Sequence, residues 1–313
     1  MKIHPSRHRH QLWTGVLLAI IGVGIAHGAD VAGLDAAAIE SSTGLKGALN
    51  AEEAVFKVTS PRTDVNITVD GVAMSPFMGV TSWAAFKADP VGGAMLMGDL
   101  VLFEDEVNPV MSTLLDHGVS VTAIHNHFFY ATPAVYFMHI GGVGPTDSLA
   151  VGVRAAFDQV KDIRKAAPQP GTGFSHAPLP TTSTVTAPPL EAIFGAMAAA
   201  KDGMVKFVIG RTATMKCGCT VGKEMGVNTW AAFMGSDTQA VVDGDFATVA
   251  GELQAVLKTL RRAGINIVAI HSHMEDDSPK YIFLHYWGIG PAATLAQSIK
   301  VALDAQKAVS VKP

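Results

Sequence analysis

Residues 118–145 read GVSVTAIHNHFFYATPAVYFMHIGGVGP, and residues 264–291 read GINIVAIHSHMEDDSPKYIFLHYWGIGP. The two stretches align without a gap at an offset of 146, with eleven of 28 positions identical, against about two expected from average composition. The match runs upstream. Gly98-Asp99-Leu100 meets Gly244-Asp245-Phe246, and Glu106 meets Glu252. After one residue of slippage, GVTSWAAF (79–86) meets GVNTWAAF (226–233), and further back Lys57 and Arg62 meet Lys206 and Arg211. Downstream, Leu149-Ala150 meets Leu295-Ala296, and Asp158 meets Asp304. A repeat of this length is a duplicated domain rather than a solenoid unit. The reading places a first repeat domain over 30–166 and a second over 190–313. Between them, 167–189 is rich in Pro, Gly, Ser and Thr; it cannot build a core and reads as a stiffened linker.

Periodicity gives the elements of each half. Glu106–Leu115 has apolar residues at helical spacing, with Pro109 placed in the first turn; its counterpart Glu252–Leu260 is a cleaner amphipathic helix stopped by Gly264. Val119–His127 and Ala134–Ile140 are β-rich runs joined by a turn with Pro133, and the pair recurs as Ile265–His273 and Lys280–Trp287. A second helix starts near Pro145 or Pro291, and Trp83–Phe86 and Met95–Phe103 read as earlier strands. Each half is about ββαββα. This is an α+β class, in which a tandem duplication gives antiparallel sheet with helices packed on one face.

The repeated hairpin carries the chemistry. Side chains two apart on a strand share a face, so His125 and His127 project together. With the turn centred near Thr132, His139 falls opposite His125, and opposed residues share a face. The second half repeats the set as His271, His273 and His285. Glu106 and Glu252 stand at the start of the preceding helix, where a carboxylate is expected to reach over the sheet. Three neutral imidazoles and one carboxylate per half make a four-ligand metal set suited to a divalent transition ion such as Zn²⁺, Mn²⁺, Fe²⁺, Ni²⁺ or Cu²⁺. Asp99 and Asp245 are candidates to orient a ligating His, although a Gly-Asp pair reads first as a turn. Trp83 and Trp230 read as core or edge packing. The competing reading is structural: hydrogen-bonded histidines on a sheet face, and a Glu placed by the helix dipole.

Composition narrows the function. The chain has 313 residues, is 49% hydrophobic and 16% charged, and carries a net charge of −4. That excludes the basic excess of a nucleic-acid binder. Residues 1–29 read as a signal peptide: Lys2, Arg7 and Arg9 precede the apolar run Leu12–Ala26 and small residues at 24, 26, 28 and 29. Export to the periplasm or outside the cell is therefore expected, with no membrane span after signal removal. The two cysteines, Cys217 and Cys219, read as free thiols or a strained disulfide; a soft-metal site with Met215 or Met225 is the sharper alternative. Two function classes follow. One is an exported metal-binding protein, with metal-dependent catalysis as its extension. The other is a non-catalytic envelope module that binds a small ligand or peptide. Oligomeric state is not encoded in these patterns.

The motifs GVTSWAAF, GDLVLFEDEVNPVM (98–111), AIHNH (123–127) and MHIGGVG (138–144) in the first half resemble those of the LppY/LpqO-like proteins, the domain-of-unknown-function 1259 family. So do GVNTWAAF, GDF (244–246), AIHSHM (269–274) and YIFLHYWGIGP (281–291) in the second. The resemblance covers most of the chain after the leader and implies export and the two-half layout. Several members look like exported lipoproteins; this chain lacks a lipobox cysteine, so lipid anchoring does not transfer. The resemblance implies no activity.

Overall fold

The computed structural model describes residues 33–174 and 176–310. The expected signal peptide, 1–29, lies outside the described residues. In the first half, the strands of the main sheet are β1 (Gly47–Asn50), β2 (Val55–Pro61), β3 (Thr81–Ala88), β4 (Ala94–Phe103), β5 (Ser120–His125) and β6 (Val135–Gly144). In the second they are β7 (Ala199–Lys201), β8 (Met204–Gly210), β9 (Asn228–Gly235), β10 (Ala240–Val249), β11 (Asn266–His271) and β12 (Tyr281–Gly290). The helices are α1 (Ala36–Thr43), α2 (Glu104–Asp116), α3 (Thr146–Ala166), α4 (Ala187–Phe194), α5 (Ala250–Arg262) and α6 (Ala292–Ser310). Each half thus repeats α-ββββ-α-ββ-α, adding an outer hairpin and a short leading helix to the expected core. The second half begins at α4, three residues inside the stretch read as linker.

The twelve strands form one antiparallel sheet in the order β1-β2-β3-β4-β6-β5-β11-β12-β10-β9-β8-β7. The two halves meet edge to edge where Ile124 of β5 stands opposite Ile270 of β11. The order reads the same from either end, so a pseudo-twofold axis passes between these strands. Joining the halves this way pairs the inner edge of each, which would otherwise expose unpaired backbone groups.

Alternation along the strands separates two faces. Leu96, Leu100, Ile124, Met138 and Ile140, with Val242, Phe246, Ile270, Leu284 and Tyr286, lie in one continuous buried core under the helices. The intervening residues face the other way. There, two small clusters are covered by three-stranded flaps: Thr68–Val69 with Val72–Ala73 and Ala131–Thr132, and Ala213–Met215 with Thr220–Val221 and Asp277–Ser278. The flaps leave the middle of this second face open.

A reciprocal clasp fixes the two halves. Asn108 on α2 donates to the Ile267 carbonyl at 3.1 Å and accepts from the Ile267 amide at 2.8 Å. Gln254, its counterpart on α5, accepts from the Val121 amide at 3.0 Å and donates to the Val121 carbonyl at 2.8 Å. Both targets sit at the start of β-bulges, between Val121 and Ala123 and between Ile267 and Ala269. A bulge leaves ladder groups unpaired, and each amide side chain fills that vacancy from the opposite half.

Candidate functional site

The histidines gather on the open face, in two copies beside the pseudo-twofold axis. Trp83, Asp99, His139 and Ala123 stand in one row across four strands. Trp230, Asp245, His285 and Ala269 repeat it. His125 ends β5 opposite Phe137, and His271 ends β11 opposite Phe283. The expected pairing of His139 with His125 is therefore off by two residues. The hairpin turns one residue earlier because Ala131–Thr132 leaves the main ladder to pair with Thr68–Val69. A shift of two keeps every side chain on its face, so the three imidazoles still meet.

The ring centres of His125 and His127 are 5.1 Å apart, and those of His125 and His139 are 5.0 Å apart. In the second half, His271 is 5.0 Å from both His273 and His285. His127 and His273 lie beyond the strand ends, each held face to face on a phenylalanine: Phe137 at 3.4 Å and Phe283 at 3.5 Å. Among the described residues, no group of three or more His, Cys, Asp or Glu side chains has its donors gathered closely enough to hold an ion as they stand.

Each trio sits beside a buried aspartate. Asp99 and Asp245 are mid-strand on β4 and β10, not in turns as their Gly-Asp context suggests, and each has an Oδ1 without a hydrogen-bond partner. Asp245 Oδ2 is 3.5 Å from His273 Nε2. Burial pushes the Asp245 carboxyl up, opposed by His285 and His273. Burial, and then repulsion from His285 and His273, lowers the His271 pKa; burial and His125 do the same to His127. Neutral imidazoles are the metal-binding and proton-accepting form.

The two glutamates lie elsewhere, and the expected set of three histidines and a glutamate does not assemble in either half. Glu106 is fully buried against Arg62, whose Nη1 and Nη2 donate to its two oxygens at 2.7 and 3.0 Å. Arg164 Nε stands 3.0 Å from the same carboxylate, and the Phe103 amide donates to it at 2.9 Å. Glu252 accepts from Arg211 at 2.5 and 3.0 Å, from Gln306 at 2.8 Å, from Ser310 at 2.5 Å and from the Val249 amide at 3.0 Å. Both carboxylates are saturated as helix-capping ion pairs. The third residue of a helix is where such a cap belongs, and the arginines that claim them, Arg62 and Arg211, were already aligned by the repeat.

What sequence reading missed is the aspartate's place. The signal was available: Asp99 and Asp245 sit within β-rich runs, at the same offset of 146 as the histidines. The tryptophans also belong to this face, each under a lysine: Lys57 Nζ is 4.2 Å from the Trp83 ring centre, and Lys206 Nζ is 4.2 Å from that of Trp230. Cys217 and Cys219 are exposed free thiols at a hairpin tip. Among the described residues, no helix is long and apolar enough to cross a membrane.

A family described as Domain of Unknown Function (DUF1259) matches residues 37–159 and 188–305, once in each half. No curated protein matches. Among solved structures, the chain is similar to the trimeric bacterial microcompartment shell protein PduB, at 12% identity over 84% of this chain and 92% of that one, with a TM-score of 0.18. It is also similar to EutL from Clostridium perfringens, at 12% identity over 79% and 91% of the two chains, with a TM-score of 0.19. Such scores carry no argument about shape or role.

Proposed function

The chain belongs to the DUF1259 family in both of its halves, and on that premise we propose that it is an exported metal-binding protein with one centre of three histidines and an aspartate per half. The ligands are His125, His127, His139 and Asp99 in the first, and His271, His273, His285 and Asp245 in the second. Aspartate takes the place that the sequence pattern gives to Glu106 and Glu252. The observation that carries the reading is the duplicated spacing of the rings. Imidazole nitrogens held about 2.0–2.1 Å from one ion at tetrahedral angles place ring centres roughly 5 Å apart, and two of the three separations in each trio, those about His125 and His271, are 5.0–5.1 Å. The outer two rings of each trio must close and turn to share one ion: His125 and His127 lie nearly parallel, at 12°. Rotation about the last imidazole torsion is soft. The partnerless Asp Oδ1 in each half favours a ligand rather than a packing role, because a buried carboxylate oxygen left unpaired is costly.

A bound divalent ion would supply Lewis acidity or a hydroxide at neutral pH, and the open face gives a substrate access to it. Hydrolysis is the simplest extension; a non-catalytic role in holding a small ligand or peptide is the second reading, favoured by the pocket described below. Elemental analysis of the purified full chain tests the proposal. Up to two equivalents of a transition ion, falling to background in a His125→Ala/His271→Ala variant, is the expected result. Undetectable metal after loading, or equal loading in the variant, rejects it.

A further inference from the structure

Beside the second histidine trio, the sheet carries a pocket of about 420 Å³ whose wall includes Lys206, Lys223, Glu224, Asn228, Trp230, Asp245 and His273. This is within the usual range for small-molecule sites. We infer that this pocket binds a small hydroxylated carboxylate of the sugar-acid class, with its anionic end at Lys206 and Lys223 and its hydroxyls toward Asp245 and His273. The inference deepens the reading above, since the last two residues belong to both.

Three features define the ligand. The first is charge: two exposed lysines line the pocket together with Glu224, which stands 3.6 Å from Lys223 and is too solvated to neutralise it. An anion is favoured there and an ammonium group repelled. The second is the far end, where the Asp245 carboxylate forms part of the wall and His273 Nε2 stands 3.5 Å from its Oδ2. These groups suit a neutral donor, and a hydroxyl brings no second positive charge toward the lysines. The third is Trp230, whose half-buried indole lies beneath the Lys206 ammonium at 4.2 Å and fixes that cation at the pocket's wall.

The repeat supplies an internal control. By the alignment, Lys223, Glu224 and Asn228 correspond to Pro76, Phe77 and Thr81. Phe77 is 97% exposed, so the first half presents an apolar rim where the second presents a charged one. Lys57 and Trp83 remain, but the second cation is gone. The centres share their histidines and aspartate and differ in what they admit.

The experiment is calorimetric titration of the full chain with D-glucuronate, D-glucose and acetate, with metal content measured on the same samples. Glucuronate is expected to bind at least tenfold more tightly than either control. Lys206→Met/Lys223→Met is expected to lose at least tenfold in affinity, and Lys57→Met to bind as wild type does. Glucose binding as well as glucuronate, wild-type affinity in the double variant, or no glucuronate binding by folded protein each overturns the inference. Metal loading without glucuronate binding rejects this pocket alone; glucuronate binding by protein that takes up no metal rejects the centre alone.

Discussion

Asn108 and Ile267, which belong to different halves, exchange two hydrogen bonds, the side-chain amide meeting the Ile267 carbonyl at 3.1 Å and the Ile267 N–H at 2.8 Å. Asn108 is buried, so replacing it with Leu leaves the Ile267 amide and carbonyl unpaired at the bulge. Each unpaired buried group costs about 1–3 kcal/mol. With two such groups unpaired, Asn108→Leu is expected to destabilise the fold by about 2–6 kcal/mol in urea denaturation. Gln254→Leu should do the same at Val121. If both variants unfold at the wild-type midpoint, the clasp does not hold the halves together.

The glutamates give a prediction that separates structure from coordination. Burial works against ionisation of Glu252, but hydrogen bonds from Arg211, then from Ser310, the Val249 amide and Gln306, hold its carboxyl below the ordinary range. A carboxyl depressed in the folded state contributes stability above its unfolded pKa and loses it as pH falls through the folded value. Glu252→Gln should cost about 3 kcal/mol at neutral pH, since it breaks a buried pair. The gap from wild type should narrow on acidification below the carboxylate range. Metal content per folded protein should be unchanged. Parallel stability gaps at pH 7 and at about pH 2, or loss of metal in the variant, would contradict the capping role.

The aspartates should behave in the opposite way. Asp99 and Asp245 are buried, each with an oxygen that nothing satisfies. Removing such a charge relieves desolvation. Asp99→Asn and Asp245→Asn are expected to fold with stability equal to or above that of metal-free wild type, and to lose metal affinity by tenfold or more. Denaturation of metal-free protein beside a metal titration reads both. Strong destabilisation with normal affinity would make these residues structural.

How far the sequence reaches is visible residue by residue. The histidine trios were legible because two simple periodicities combine, alternation along a strand and pairing across a hairpin, and a shift of two in register leaves the face unchanged. The antiparallel sheet with helices on one side was legible for the same reason. Glu106 is misplaced by sequence because a helix-start glutamate has several partners open to it, and only the fold brings Arg62 to it from just beyond β2 and Arg164 from α3. Asp99 was undervalued because Gly-Asp is a turn signal locally, while the strand on either side decides that it is not a turn. The joining of the halves through Ile124 and Ile270 had no sequence mark. Which edge strands meet depends on contacts such as Asn108 with Ile267, 159 residues apart in the chain.

That junction makes the two centres neighbours. With Ile124 opposite Ile270 in antiparallel strands, one step either way sets His125 across from Ala269 and Ala123 across from His271. His125 and His271 are then diagonal neighbours on one face, about 7–8 Å apart at the backbone. Two ions held by these trios would lie close enough for their spins to interact. In a Cys217→Ser/Cys219→Ser background, which removes the exposed thiols, one equivalent of Cu²⁺ should give an isolated-ion electron paramagnetic resonance spectrum. The second equivalent should broaden it by dipolar coupling, and His271→Ala should stop at the first. Two equivalents with uncoupled spectra would place the ions apart and break the link between the sheet junction and a paired centre.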